Sequence, residues 1–300
     1  MSTITQLGNI SVIIPVGNLA RDKQNLLELI NKWKTTHSIE LIIVLDFLVQ
    51  KDYEREFVLH CIKSGIKIVY SLEKNPNGSR RLGYLESTGK WIIFCDSDDT
   101  LDFSRLQSVI HEPPSDGEIY VFSFAEVKLG KNLVSRTRKA STLTFVEMPG
   151  LWRCLFNRRI VDRGNFCRSL IGEDLVLLSS LILLSKRIVF NTPVLYNYVM
   201  HSGFRLSNQK PNVEEYRKTL SEFEGVLSDR FSGIKYNNFI AVCIYLSFTI
   251  SCAQVFKGKL KFQIIKTLFL IIFRNPPMLL LLLPSLAVVV YTKVRRRVRK

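Results

Sequence analysis

The sequence predicts an α/β fold: a mostly parallel sheet flanked by helices, followed by a C-terminal helical region. Three observations carry this. Short, wholly apolar runs alternate with stretches of helical spacing through the first third of the chain. Those runs are continuous rather than alternating, which marks strands buried on both faces. One of them, Trp91-Ile92-Ile93-Phe94-Cys95, ends abruptly in Asp96-Ser97-Asp98-Asp99. That puts carboxylates at the C-terminal edge of a sheet, where open α/β folds bind ligands.

The elements follow in order. Ile10 to Val16 is a β-rich run closed by Pro15 and Gly17, and 21–34 has helical spacing through Leu26, Leu27, Ile30 and Trp33. Ile39 to Asp46 is a second strand, 51–63 a second helix and Ile66 to Tyr70 a third strand. After the polar stretch Asn75-Pro76-Asn77-Gly78-Ser79 a helix runs to about Thr88, and Gly89 introduces the acid-tipped strand. A short helix is expected from Phe103 to Ile110. Runs at Ile119 to Val127 and Arg187 to Tyr198 extend the sheet. Leu175 to Ser185 is an apolar helix preceded by Gly172-Glu173-Asp174, and 212–230 reads as a polar, exposed helix. Strand–helix alternation of this kind implies right-handed crossovers. Two domains are expected, 1–210 and 211–300.

Charge is distributed unevenly. Of a formal net charge of +16, Phe231 to Lys300 contributes twelve Lys and Arg and no acid, leaving +4 on the rest. The six cysteines are scattered without a Cys-x-x-Cys or Cys/His cluster, which argues against a zinc site and against a disulfide framework. Reduced thiols of this kind fit a cytosolic compartment. In the basic tail, Phe239 to Phe256 and Pro276 to Thr292 carry no charge, while Lys257 to Phe273 alternates basic and apolar residues. A single span would place basic clusters on both sides of the bilayer, against the positive-inside tendency. Interfacial or re-entrant helices at the cytoplasmic face of the membrane, held by anionic lipid, are the expectation. A buried core helix is the alternative for Phe239 to Phe256. The leucine and valine runs beside the cations favour lipid over nucleic acid as the partner.

The acid cluster has two readings. Three carboxylates within four residues repel one another unless a cation lies among them. A hard divalent ion held by one or two acids and by substrate phosphates is the usual arrangement for Mg²⁺ or Mn²⁺. The other reading is a solvated turn that caps the next helix.

Several motifs, in order, resemble glycosyltransferase family 2, the inverting sugar transferases with a GT-A, Rossmann-like fold. Ser11-Val12-Ile13-Ile14-Pro15-Val16-Gly17-Asn18 is similar to the family's opening strand, and Glu40 to Asp46 to its second. Asn77-Gly78-Ser79-Arg80-Arg81-Leu82-Gly83 and Gly89-Lys90-Trp91 resemble the stretch before its Asp-x-Asp, matched here by Asp96-Ser97-Asp98. Leu151-Trp152-Arg153-Cys154-Leu155-Phe156 and Gly172-Glu173-Asp174-Leu175 resemble its acceptor-side half. The resemblance covers roughly 10–207. Departures stand at Leu45, where the family has an acid, at Phe47, where it has glycine, at Gly17, often aromatic, and at Cys154, often lysine.

The resemblance implies roles. The donor is a nucleotide-diphosphate sugar, UDP-sugars first among them, bound by Pro15, Val16, Asp46, Arg81, Asp96 and Asp98. Asp98 is the first choice as ligand of Mn²⁺ or Mg²⁺, with Asp96 supporting and His201 a further candidate; Arg205 lies in the same segment. Asp174 is the catalytic base, and Trp152 and Glu173 face the acceptor. The acceptor expected is a lipid-linked saccharide of a bacterial surface polysaccharide. Transfer to a polyprenyl phosphate, or nucleotide-sugar binding without turnover, are the alternatives.

Overall fold

The computed structural model describes residues 10–36, 38–46, 53–73, 75–109, 118–128, 134–200, 212–231, 235–255 and 278–298. They form two compact units. One draws on Met1–Ala140, Leu151–Asp162 and Val189–Ser202, the other on Ser141–Gly150, Arg163–Ile188 and Gly203–Lys300.

The first unit is built on a nine-stranded sheet. Strands β1 (Ile10–Val16), β2 (Ile39–Asp46), β3 (Lys67–Ser71) and β4 (Trp91–Phe94) are parallel, in the order β3-β2-β1-β4. Their apolar residues are the core: Ile10, Val12, Ile13, Ile14, Ile42, Ile43, Val44 and Leu45 are wholly buried. Each such side chain contributes about 1.5–3 kcal/mol over an exposed one. The crossovers carry α1 (Leu19–Trp33), α2 (Tyr53–Lys63) and α3 (Pro76–Glu86). Helix α1 begins at Asn18, whose side chain accepts from Arg21 N–H, and turns Leu19, Leu26, Leu29 and Ile30 inward. Helix α3 lies close to the sheet at Gly83, where a Cβ would stand 2.4 Å from Ile13 Cγ2.

The other half of the sheet runs antiparallel. A short strand, β5 (Thr100–Leu101), precedes α4 (Phe103–Val109); then come β6 (Glu118–Lys128) and β7 (Val134–Arg138). Strand β8 (Cys154–Asn157) pairs with β4 and β6, and β7 extends from β6. The long β9 (Arg187–Met200) follows β6 in the order and pairs with β5. The α/β class holds, and both expected later strands join the sheet. Arg158, in the one-turn α6 (Arg158–Val161), ties the halves together. Its Nε donates to Gly89 O at 2.6 Å, and its guanidinium lies 4.9 Å from the Tyr84 ring centroid.

The second unit is helical: α5 (Thr142–Glu147), α7 (Glu173–Leu184), α8 (Val213–Arg230), α9 (Tyr236–Val255) and α10 (Met278–Val298). Helix α9 holds most of the segment Phe239 to Phe256. It packs against α5, α7, α8 and α10, and Ile240 to Tyr245 are all wholly buried. An uncharged helix covered over most of its surface needs no sharp apolar stripe, and its sequence carries little helical periodicity. Helix α8 is not the fully exposed element its polarity suggested. It buries Leu220, Phe223, Val226 and Leu227, and Phe223 meets Tyr245 edge-on at 5.7 Å. Among the described residues no helix is long and apolar enough to cross a membrane. Lys257 to Phe273 lies outside the described residues.

Candidate active site

The parallel register brings the ends of β1, β2 and β4 to one edge: Val16 lies opposite Leu45, and Asp46 opposite Ser71. Cys95 N–H still donates to Ile13 O at 3.0 Å, so the chain leaves the sheet only at Asp96. Pro15 is half-buried and Val16 buried. Asp46 is half-buried at its strand end, while Leu45 points wholly into the core. Phe47 lies outside the described residues.

The residues Asp96 to Asp99 fall into two environments. Asp96 and Asp98 keep side-chain exposures of 35% and 22%, whereas Ser97 and Asp99 are buried. Ser97 Oγ donates to Asp22 Oδ2 at 2.6 Å, and Asn25 Nδ2 donates to the carbonyls of Ser97 and Asp99, both at 2.8 Å. Asp22 and Asn25 both project from α1, so that helix fixes the turn from below. From the far end of the sheet, Tyr196 Oη and Val199 N–H donate to the two Asp99 oxygens at 2.8 and 2.7 Å.

Cations flank the two accessible acids. Arg80, itself buried, reaches Asp96 Oδ1 at 3.2 Å through Nη2 and donates to Asn77 Oδ1 at 3.0 Å through Nη1. Arg21 grips Asp22 with two donors, at 2.5 and 2.9 Å, and stands 3.9 Å from Asp98 Oδ2. The hydrogen bond to Asp22 raises the Arg21 pKa against its partial burial. Burial, then the charges of Asp96 and Asp98, hold the Asp99 carboxyl well above the usual carboxylate range. Burial, then Asp99 and Asp96, push the Cys95 thiol well up too.

The remaining candidates are placed as follows. Arg81 is exposed on α3, one residue round from the buried Arg80. Trp152 is 7% exposed, stacked on Tyr198 at 5.4 Å and edge-on to Phe124 at 4.8 Å. Its ring surface is committed to those neighbours. In the second unit, Glu173 is buried and Asp174 half-buried in the first turn of α7. That helix begins at Gly172, in the left-handed region at φ +70, where a Cβ would stand 2.6 Å from the Phe248 ring. Thr219 Oγ1 donates to Ile171 O at 2.6 Å, which pins the loop before it. His201 and Arg205 lie outside the described residues.

Four site residues escaped the sequence reading: Asp22, Asn25, Arg80 and Tyr196. Two had a signal. Asp22 sits on the apolar stripe of α1 with Leu19, Leu26 and Leu29, where an acid is out of place. Arg80 shares a helical face with Asn77 and Tyr84, which are also buried. Asn25 and Tyr196 carried none.

Residues 11–166 match the family described as Glycosyl transferase family 2. Succinoglycan biosynthesis protein ExoO of Rhizobium meliloti (strain 1021) is 28% identical over 157 residues, 45% of each chain. The chain thus matches a little under half the length of that relative. Among solved structures, S. aureus TarS 1-349 in complex with UDP-GlcNAc superposes with a TM-score of 0.62 at 17% identity, covering 81% of this chain and 72% of that one. The mannosyltransferase PcManGT from Pyrobaculum calidifontis, in complex with GDP-Man and Mn2+, gives 0.53 at 12% identity over 97% of this chain and 87% of that one. At such identities the structures speak for the fold. The family match spans more than half of the chain and includes the strand-end acids: this chain belongs to glycosyltransferase family 2.

Proposed function

We propose that this protein is an inverting, metal-dependent glycosyltransferase of bacterial polysaccharide synthesis. It moves a sugar from a nucleotide-diphosphate donor to a hydroxyl of a lipid-linked saccharide. The observation that carries the reading is the pair Asp96 and Asp98, accessible at the C-terminal edge of β4 while Ser97 and Asp99 between and beyond them are tied down. Support for the donor class comes from the relatives, solved with UDP-GlcNAc and with GDP-Man and Mn2+. Support for the product comes from the succinoglycan biosynthesis protein.

The donor set fits a hard cation. Two carboxylates stand half-open at a strand end; among the described residues no group of three or more His, Cys, Asp or Glu gathers that could hold a metal, so substrate phosphates would have to complete the ion's shell. Asp98 and Asp96 would hold the ion. When bound it supplies positive charge to the leaving diphosphate without a proton. The chain's own part is positional. Asp22, Asn25 and Tyr196 hold the turn so that both acids face out, and Arg80 orients Asp96. Arg21 adds a second positive group beside Asp98. We assign Asp174 as the base. The acceptor oxygen bonds to the anomeric carbon and its proton passes to the Asp174 carboxylate. The bond from that carbon to the diphosphate oxygen breaks, and the electron pair leaves with the nucleoside diphosphate.

A second reading rests on Leu45, whose side chain is wholly in the core, so that β2 offers Asp46 alone to the donor. That reading is nucleotide-sugar binding without turnover. Thermal stabilisation by UDP, GDP and their sugars, with and without Mn²⁺, separates the two. A shift requiring both metal and nucleotide, lost in Asp98→Asn, together with transfer lost in Asp174→Asn, is the expected result. Binding with transfer absent under every acceptor condition favours the second reading. Transfer that survives Asp174→Asn points to a polyprenyl phosphate acceptor, already an anion.

A further inference from the structure

Helix α10 presents two unlike sides. Leu281, Ser285 and Val289, at helical spacing of four, are buried where the helix meets α9 and α5. The opposite arc carries Leu280, Leu283, Leu286, Val290 and Tyr291, with exposures of 66%, 76%, 42%, 49% and 54%. Pro284 and Ala287, the other exposed positions on this arc, are apolar as well. A solvent-facing helix normally places polar residues there, and a continuous exposed apolar stripe marks a binding surface. The helix then continues to Val298 through Lys293, Arg295, Arg296 and Arg297.

We propose that this face of α10 lies in the plane of an anionic lipid bilayer and docks the second unit onto it. Two arguments select that occupant. The apolar part of the helix, Met278 to Thr292, is fifteen residues, or about 22 Å against a hydrocarbon core of about 30 Å. With one side already taken by protein, it lies on a membrane rather than across it. Charge makes the second argument. From Phe231 to Lys300 there are twelve cations and no acid. A second copy of this region would bring twelve more cations and no acid to pair them, whereas an anionic surface attracts each nearby cation by roughly 1 kcal/mol. Leucines entering the acyl boundary and arginines at the phosphates are the two halves of an interfacial helix. The docking stands independently of the transfer reaction.

The test is flotation of the full chain with vesicles of phosphatidylcholine alone, or mixed with roughly a third phosphatidylglycerol. The expected result is flotation with the anionic vesicles, weakening as salt rises. The double variant Leu280→Ser, Leu283→Ser should lose roughly tenfold or more of that binding. Its thermal midpoint should stay unchanged, because both side chains are exposed. Arg295→Gln, Arg296→Gln, Arg297→Gln together should remove the preference for anionic lipid. Failure of the wild type to float with either vesicle overturns the proposal. So does equal flotation of the leucine variant, and so does a lipid-free dimer that the same variant dissolves.

Discussion

Tyr196 Oη donates to Asp99 Oδ2 at 2.8 Å and accepts Asp96 N–H at 3.1 Å, so one phenol on β9 fixes both ends of the acid turn after β4. Tyr196 and Asp99 are both buried, and burial followed by the Asp99 charge raises the Tyr196 hydroxyl well above its ordinary range. Three aspartates that look interchangeable in the sequence are divided by this contact into one structural acid, Asp99, and two accessible ones.

The division predicts opposite phenotypes for neighbouring aspartates. Asp99→Ala leaves Tyr196 Oη and Val199 N–H without their buried acceptor and should cost about 2–4 kcal/mol in urea unfolding. Asp98→Asn removes a partly exposed charge and should change stability by no more than about 0.5 kcal/mol. It should nevertheless abolish the metal-dependent thermal shift with nucleotide. Equal destabilisation by the two would contradict the assignment.

A similar contrast holds on α3. Arg80 is buried against Asn77 and Asp96, while Arg81 is exposed. Arg80→Met should weaken nucleotide binding at least tenfold by titration calorimetry, a loss of about 1.4 kcal/mol, because Asp96 loses its orienting partner. Arg81→Gln should stay within about threefold of wild type if Arg81 makes no direct diphosphate contact. A larger loss at Arg81 would put that side chain in direct contact with the diphosphate.

Much of this was legible in the chain. β1, β2 and β4 are continuous apolar runs because both faces of each are buried, and that leaves an unambiguous pattern. Asp96 and Asp98 were legible because a strand cannot bury them and must end there. Arg80 was passed over beside Arg81, although it shares a helical face with the buried Asn77 and Tyr84. Tyr196 lies 97 residues from Asp99, and nothing local in Tyr196-Asn197-Tyr198 announces a pairing made through sheet order. Helix α9 was ambiguous for a physical reason, since a helix buried in protein and one buried in lipid need the same uncharged surface.

Gly172 should be irreplaceable for the placement of Asp174. Its φ of +70 strains any side chain, and a Cβ would meet Phe248 at 2.6 Å. Gly172→Ala should therefore cost about 1–3 kcal/mol and displace the first turn of α7. Because the acids after β4 belong to the other unit, the nucleotide-dependent thermal shift should persist while turnover falls. Loss of nucleotide binding in this variant would tie Gly172 to the donor instead.

The cysteines predict how stability changes in alkali. All six are free and buried, and burial pushes Cys61 and Cys154 up to about 12 and Cys243 to about 11, from an ordinary 9. A thiol whose folded pKa is raised contributes stability fully present below the unfolded value. That stability is lost as pH rises through the folded one. The window here is therefore pH 9 to 12. Between pH 8 and pH 10, each such thiol should remove about 1 kcal/mol from the unfolding free energy, at 1.36 kcal/mol per pKa unit. Urea melts under reductant at the two pH values measure the loss, and Cys61→Ala should reduce its slope by one thiol's share. Iodoacetamide gives a second reading. At pH 8 the native protein should label at least ~1000-fold more slowly at Cys61 than the urea-unfolded chain, because the thiolate is the nucleophile. Rapid native labelling would show that Cys61 is reached by solvent and that its burial is broken on that timescale.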